Sequence, residues 1–145
     1  MENIAVVGIA NLFPGSSAPQ QFWQQLLEKR DCRSKATSEQ MGVDPAKYTG
    51  QKGDTDKFYC VHGGYIRDFD FDGEGYKLDQ DYMSQLDDLN KWALYVTKQA
   101  LTDAGYWGSD ALARCGVFLG NLSFPTKSSN HLFMPLYHKV VDNAL

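Results

Sequence analysis

The stretch IAVVGIANLFPG, residues 4–15, sets how the rest of the chain is understood. Ile4, Val6, Val7 and Ile9, with small residues between them, predict a buried strand over 4–10. The run leads into a turn through Pro14, Gly15 and Ser16. A strand entering a Gly-containing turn is also how a nucleotide-binding unit begins. A dinucleotide fingerprint needs G-x-G-x-x-G and a Walker loop needs G-x-x-x-x-G-K-[ST]. Here Gly8 is followed by Ile9, Ala10 and Asn11, and the next glycine is Gly15. No second glycine lets a pyrophosphate approach the backbone. The stretch therefore reads as a core strand and its turn, not a phosphate loop.

Beyond the turn, Phe22, Trp23, Leu26 and Leu27 give one apolar face to a helix over 19–29, with Ser17 and Gln20 spaced as a capping box. Over 30–57 the pattern weakens, interrupted by Gly42, Pro45, Gly50 and Gly53, with one helical turn expected near 44–47. FYCVHGGYI, residues 58–66, reads as two short extended pieces around a Gly-Gly break. The clearest helix is 84–104, where Leu86, Leu89, Ala93, Val96, Ala100 and Ala104 share a face and Gly105 stands at the stop. CGVFLG, residues 115–120, predicts a second buried strand. A polar loop with Pro125 follows, then a helical stretch from about 131, broken near Pro135. Apolar strands alternating with helices argue an α/β fold with a mostly parallel sheet.

At 145 residues the chain is one domain or a piece of a larger one, and 43% apolar residues suffice for a core. A net charge of −4 without a basic stripe argues against nucleic-acid binding. No apolar run approaches the ~18 residues of a membrane span, and no signal-peptide layout opens the chain. Three scattered cysteines, Cys32, Cys60 and Cys115, fit reduced thiols in a cytoplasm. The chain ends on Leu145 inside a helical pattern with no cap, so it is expected to stop before its domain is complete.

Several residues invite a chemical reading. In DFDFDGEG, Asp68, Asp70, Asp72 and Gly73 occupy positions 1, 3, 5 and 6 of a calcium loop, with Asp79 at position 12. Position 12 wants a Glu, position 8 is Gly75, and HGGYI cannot be an entering helix, so alternating inward aromatics and solvated acids is the preferred reading. Cys32 lies among Lys29, Arg30 and Arg33, which favour a thiolate, but no His is local. Cys115 opens the second apolar run and reads as a small buried hydrophobe. Cys60 with His62 is too little for a metal, and Pro135 separates His131 from His138. Ser123 lacks the nucleophile elbow, since Pro125 stands where its second glycine belongs. No complete catalytic, cofactor-binding or metal-binding set emerges.

Taken together, these stretches resemble the N-terminal part of the β-ketoacyl synthases, the condensing enzymes of fatty-acid and polyketide synthesis. Ile4-Ala5-Val6-Val7-Gly8-Ile9-Ala10 and Phe13-Pro14-Gly15 resemble that family's opening. Pro19, Phe22-Trp23 and then Arg30-Asp31 resemble its S-P-x-x-F-W helix and G-R-D. GGYIRDFDFD, QALTDAGY and CGVFLGNLS resemble three further family stretches in the same order. One departure stands before the long helix. The family's M-D-P-Q-x-R is replaced by Leu86-Asp87-Asp88-Leu89-Asn90-Lys91, which keeps the first Asp and a basic residue. With NLSFPTKSSNHLF, this divergence resembles the condensing subunit of bacterial omega-3 polyunsaturated fatty-acid synthases.

The resemblance implies an incomplete N-terminal part of a thiolase-like, layered α-β-α-β-α fold, residues 1–145 being a truncated synthase domain. It implies a decarboxylative Claisen condensation on chains carried by the phosphopantetheine of an acyl carrier protein, with no directly bound cofactor. It implies a homodimer or pairing with a chain-length-factor-like domain. The family's nucleophilic Cys and two His belong to motifs beyond residue 145, so no residue here inherits a catalytic role and the chain alone is expected to be inactive. The alternative is a short non-catalytic module that keeps the scaffold for dimerisation or carrier contact.

Overall fold

The computed structural model describes residues 3–67, 69–121, 126, 128, 129, 132, 133, 135–137 and 140. They divide into two units, one of residues 9–70 and one of residues 1–8 with 71–145.

The 9–70 unit runs α1 (Pro19–Leu27), β1 (Ser34–Lys35), α2 (Ser38–Met41), α3 (Pro45–Tyr48) and β2 (His62–Gly63). Pro19 starts α1 where a missing N–H costs nothing. The expected Ser17–Gln20 capping box does not form. Ala18 is the N-cap, and the Ser17 N–H donates to Gln21 Oε1 at 2.9 Å. The helix ends at Leu27 because Lys29 adopts φ 54°. The Lys29 N–H reaches the Leu26 carbonyl at 3.1 Å and the Arg30 N–H reaches that of Gln25 at 2.9 Å, the crossed pair of a Schellman end. The apolar face of α1 is half turned outward. Phe22 packs on Phe13 with ring centroids 4.7 Å apart, while Trp23 and Leu27 are each 61% exposed.

The irregular excursion holds two helical turns instead of the expected one. A capping box of Thr37 and Gln40 opens α2, and Asp44 caps α3 ahead of Pro45. β1 and β2 pair antiparallel, Ser34 opposite Gly63 and Lys35 opposite His62. The Arg67 guanidinium donates to the Lys35 carbonyl and to Gln40 Oε1, tying the chain after β2 to the first part of the excursion.

In the other unit, the single helix expected over 84–104 is two: α4 (Gln80–Ser84) and α5 (Asp88–Asp103), followed by a 3-10 turn at Asp110–Arg114. Asp79 caps α4 by accepting the Tyr82 N–H at 2.9 Å. Met83, on α4, is the large apolar side chain buried most fully among the described residues. α5 stops as anticipated at Gly105, whose φ is 72°. Its N–H bonds the Thr102 carbonyl at 3.0 Å and the Tyr106 N–H bonds that of Leu101 at 2.8 Å.

The two buried strands are a correction. Among the described residues neither 4–10 nor 115–120 joins a ladder, and Ile4 is 96% and Phe118 97% exposed. Cys115, expected inside, is exposed. The parallel sheet expected from these runs is therefore not formed here; β1–β2 is antiparallel. An apolar run is buried only when ladder partners flank it and both faces are covered. The first run is covered on one side at Gly8, which lies against the end of α5. A Cβ there would overlap the Ala100 carbonyl oxygen and sit 2.8 Å from the Ala104 methyl.

Candidate functional site

The turn that ends the opening stretch is held by buried amides. Phe13 and Ser16 exchange backbone hydrogen bonds of 2.8 and 2.9 Å. Asn11 Nδ2 donates to Ser16 Oγ at 3.0 Å, and Gln25 Nε2, from α1, donates to the Gly15 carbonyl at 2.6 Å. All three side chains are at least nine-tenths buried, and Asn11 Oδ1 is left without a partner. Sequence reasoning missed this clamp. Its signal was Gln25, a polar residue three after Phe22 on the face read as apolar.

Beside the turn is a groove of about 310 Å³ lined by Phe13, Pro14, Phe22, Leu26 and Cys32, with Arg30 and Arg33 among its walls. Arg33 is bound to Asp31 through Nε–Oδ1 at 3.0 Å and Nη2–Oδ2 at 2.7 Å. These bonds, with that from the Arg33 N–H, bring the Asp31 carboxyl down to about 2. The Arg33 charge that could favour a thiolate at the half-buried Cys32 is thus already paired with Asp31. Cys60 is exposed, its thiol donating to the His62 carbonyl at 3.7 Å. Ser123, His131 and His138 lie outside the described residues. Among the described residues no three His, Cys, Asp or Glu side chains are grouped to hold a metal ion.

The acidic stretch behaves as alternation predicts: Phe69 and Phe71 are half-buried, Asp70 and Asp72 exposed. Asp68 lies outside the described residues. The carbonyl at position 7 of the calcium pattern, that of Glu74, accepts the Lys98 ammonium at 2.6 Å. The Asp72 carboxylate accepts the Glu74 N–H at 2.8 Å. Lys98 Nζ also lies 4.9 Å from the Tyr76 ring centroid and 5.8 Å from that of Trp107. A lysine from α5 thus occupies the one backbone oxygen that pattern would offer an ion. The Tyr76 hydroxyl is buried without a partner among the described residues, and burial pushes its pKa up.

The two residues that the Leu86–Lys91 stretch keeps from the family pattern both hold other segments. Lys91 Nζ donates to the Ser84 carbonyl at 3.0 Å, closing α4 onto α5. Asp87 Oδ2 accepts the Ser128 N–H at 3.1 Å.

The model of the β-ketoacyl synthase N-terminal domain matches residues 1–140. The chain belongs to the β-ketoacyl synthase family. A solved structure described as PfaC keto synthase–chain length factor matches with a TM-score of 0.92 and 83% identity, over 100% of this chain and 16% of that one. A polyunsaturated fatty acid synthase polypeptide of Thraustochytrium sp. is 32% identical over 98% of this chain and 5% of its own length. Polyketide synthase PksM of Bacillus subtilis is 28% identical over 86% of this chain and 3% of its own. The ketosynthase chain thus spans a small part of each relative. Its fold is that of part of the thiolase-like ketosynthase, as the sequence resemblance implies. No helix among the described residues is long and apolar enough to cross a membrane.

Proposed function

We propose that residues 1–145 are the N-terminal portion of a β-ketoacyl synthase domain that performs decarboxylative Claisen condensation in polyunsaturated fatty-acid synthesis. The observation that carries this reading is the 83% identity, along the whole chain, to the keto synthase–chain length factor structure. In the reaction a Cys thiolate takes an acyl group from a carrier-protein thioester and releases the carrier thiol. A carrier-bound malonyl group then loses carbon dioxide, and its α-carbon attacks the acyl carbonyl. The new C–C bond forms as the Cys thiolate leaves, and two His stabilise the developing oxyanion. We place that Cys and both His beyond residue 145, so none of Cys32, Cys60, Cys115, His62, His131 or His138 is catalytic. These residues supply scaffold: the clamped opening turn, α5 and the apolar runs at 4–10 and 115–120. The partners are acyl carrier protein domains bearing phosphopantetheine, and a second copy or a chain-length-factor-like domain. The cytoplasm is the proposed compartment.

The test is acyl transfer from a radiolabelled acyl carrier protein. The 145-residue chain should acquire no label, whereas the full synthase protein should be labelled on a Cys outside these residues. A hydroxylamine-labile acyl group on Cys32, Cys60 or Cys115 of the full protein would overturn the assignment. A second reading, a non-catalytic pairing module, draws support from the exposed apolar side chains at Val117, Phe118 and Leu119. Sedimentation showing a stable monomer of the isolated chain would remove that support.

A further inference from the structure

Asp87 stands at the N-cap of α5, where a carboxylate ordinarily accepts an N–H of its own helix. No such bond is made at hydrogen-bonding distance, and the Leu89 N–H of its own helix contributes least among the groups that lower its pKa. The carboxylate instead faces a segment 41 residues further along the chain and accepts the Ser128 N–H at 3.1 Å. That segment has helical backbone at 128–129, 132–133, 135–137 and 140. Thr126 is placed as its cap: Thr126 Oγ1 accepts the Ser129 N–H at 3.2 Å, and the Ser129 hydroxyl donates to the Thr126 carbonyl at 3.0 Å. Thr126 serves one of the N–H groups that every helix start leaves unpaired, and Asp87 serves the one before it. Burial pushes the Asp87 carboxyl up, but hydrogen bonds from the Ser128 N–H and from the Thr126 and Ser128 hydroxyls outweigh it, and the net shift is downward.

Further along, Leu132, Phe133, Leu136, Tyr137 and Val140 have helical backbone and exposed side chains. We infer that Asp87 is the positioning residue of the helix start at Thr126, Ser128 and Ser129: its carboxylate holds that start from the first turn of α5. This gives the Asp of the Leu86–Lys91 stretch a task of its own. The inference goes beyond the proposed condensation, and its test needs no condensing activity.

Hydrogen exchange, resolved by residue in the intact protein, decides it. Asp87→Ala should speed exchange at amides 128–129 by about tenfold or more, leaving amides 91–94 of α5 within about twofold of wild type. Asp87→Asn keeps an acceptor oxygen without the charge and should speed amides 128–129 by less, about two- to tenfold. The isosteric Asn variant answers the question if the Ala variant does not fold. Unchanged exchange at 128–129 in the variant that folds overturns the inference. Acceleration as large over 91–94 overturns it too, since Asp87 would then be an ordinary cap of its own helix.

Discussion

Tyr76 shows how one side chain reports its surroundings. Its hydroxyl is buried and unpartnered, and burial leads the causes that raise its pKa. A raised folded-state pKa contributes stability that is complete below the unfolded value near ~10 and is lost as pH climbs through the folded one. Alkaline titration followed by tyrosinate absorbance should therefore show a late fraction. In Tyr76→Phe the late fraction should vanish, and stability should rise by about 1 kcal/mol because a buried orphan hydroxyl is gone. Asp31 gives the contrast. Its carboxyl is held at about 2 by Arg33, yet the pair is exposed, so Asp31→Asn should leave stability nearly unchanged. Gly8 is limited by space. A side chain there meets the Ala100 carbonyl and the Ala104 methyl, so Gly8→Ala should lower stability by about 1–3 kcal/mol, read as a shift in denaturant midpoint.

At the scale of elements, α1 and α5 end by the same crossed hydrogen bonds with different residues at the left-handed position, Lys29 at φ 54° and Gly105 at φ 72°. Lys29→Gly should stabilise by about 1 kcal/mol, and Gly105→Ala should destabilise by about the same, with opposite shifts in unfolding midpoint. The pair also explains what is legible in the sequence. Gly105 announces its helix end; Lys29 hides one, so the periodicity carries the first helix two residues too far. The break between α4 and α5 is hidden because Leu86 and Leu89 continue the helical period across it. β1 and β2 have two residues each, too few for any period. The opening run is legible as extended apolar chain, but burial depends on neighbours that its own pattern does not encode. The amide clamp of Asn11 and Gln25 and the reach of Asp87 to Ser128 depend on contacts distant in sequence, which local periodicity does not carry.

At the scale of the molecule, large apolar side chains stand open to solvent among the described residues, Ile4 at 96%, Val6 at 89% and Phe118 at 97%. That exposure accords with the proposal that further parts of the synthase domain cover these side chains. The isolated chain should accordingly bind the apolar dye ANS strongly, and the full synthase should bind much less per molecule. Lys98 has a consequence for chemistry done near it. An amine can be acylated only if its nitrogen is free to attack, and this nitrogen is bonded to the Glu74 carbonyl and flanked by the faces of Tyr76 and Trp107. Among proteins that handle activated thioesters, stray acylation of lysines is a constant background. Lys98 should be labelled by acetic anhydride several-fold more slowly than the exposed Lys77, making it an internal blank against which that background can be counted by mass spectrometry.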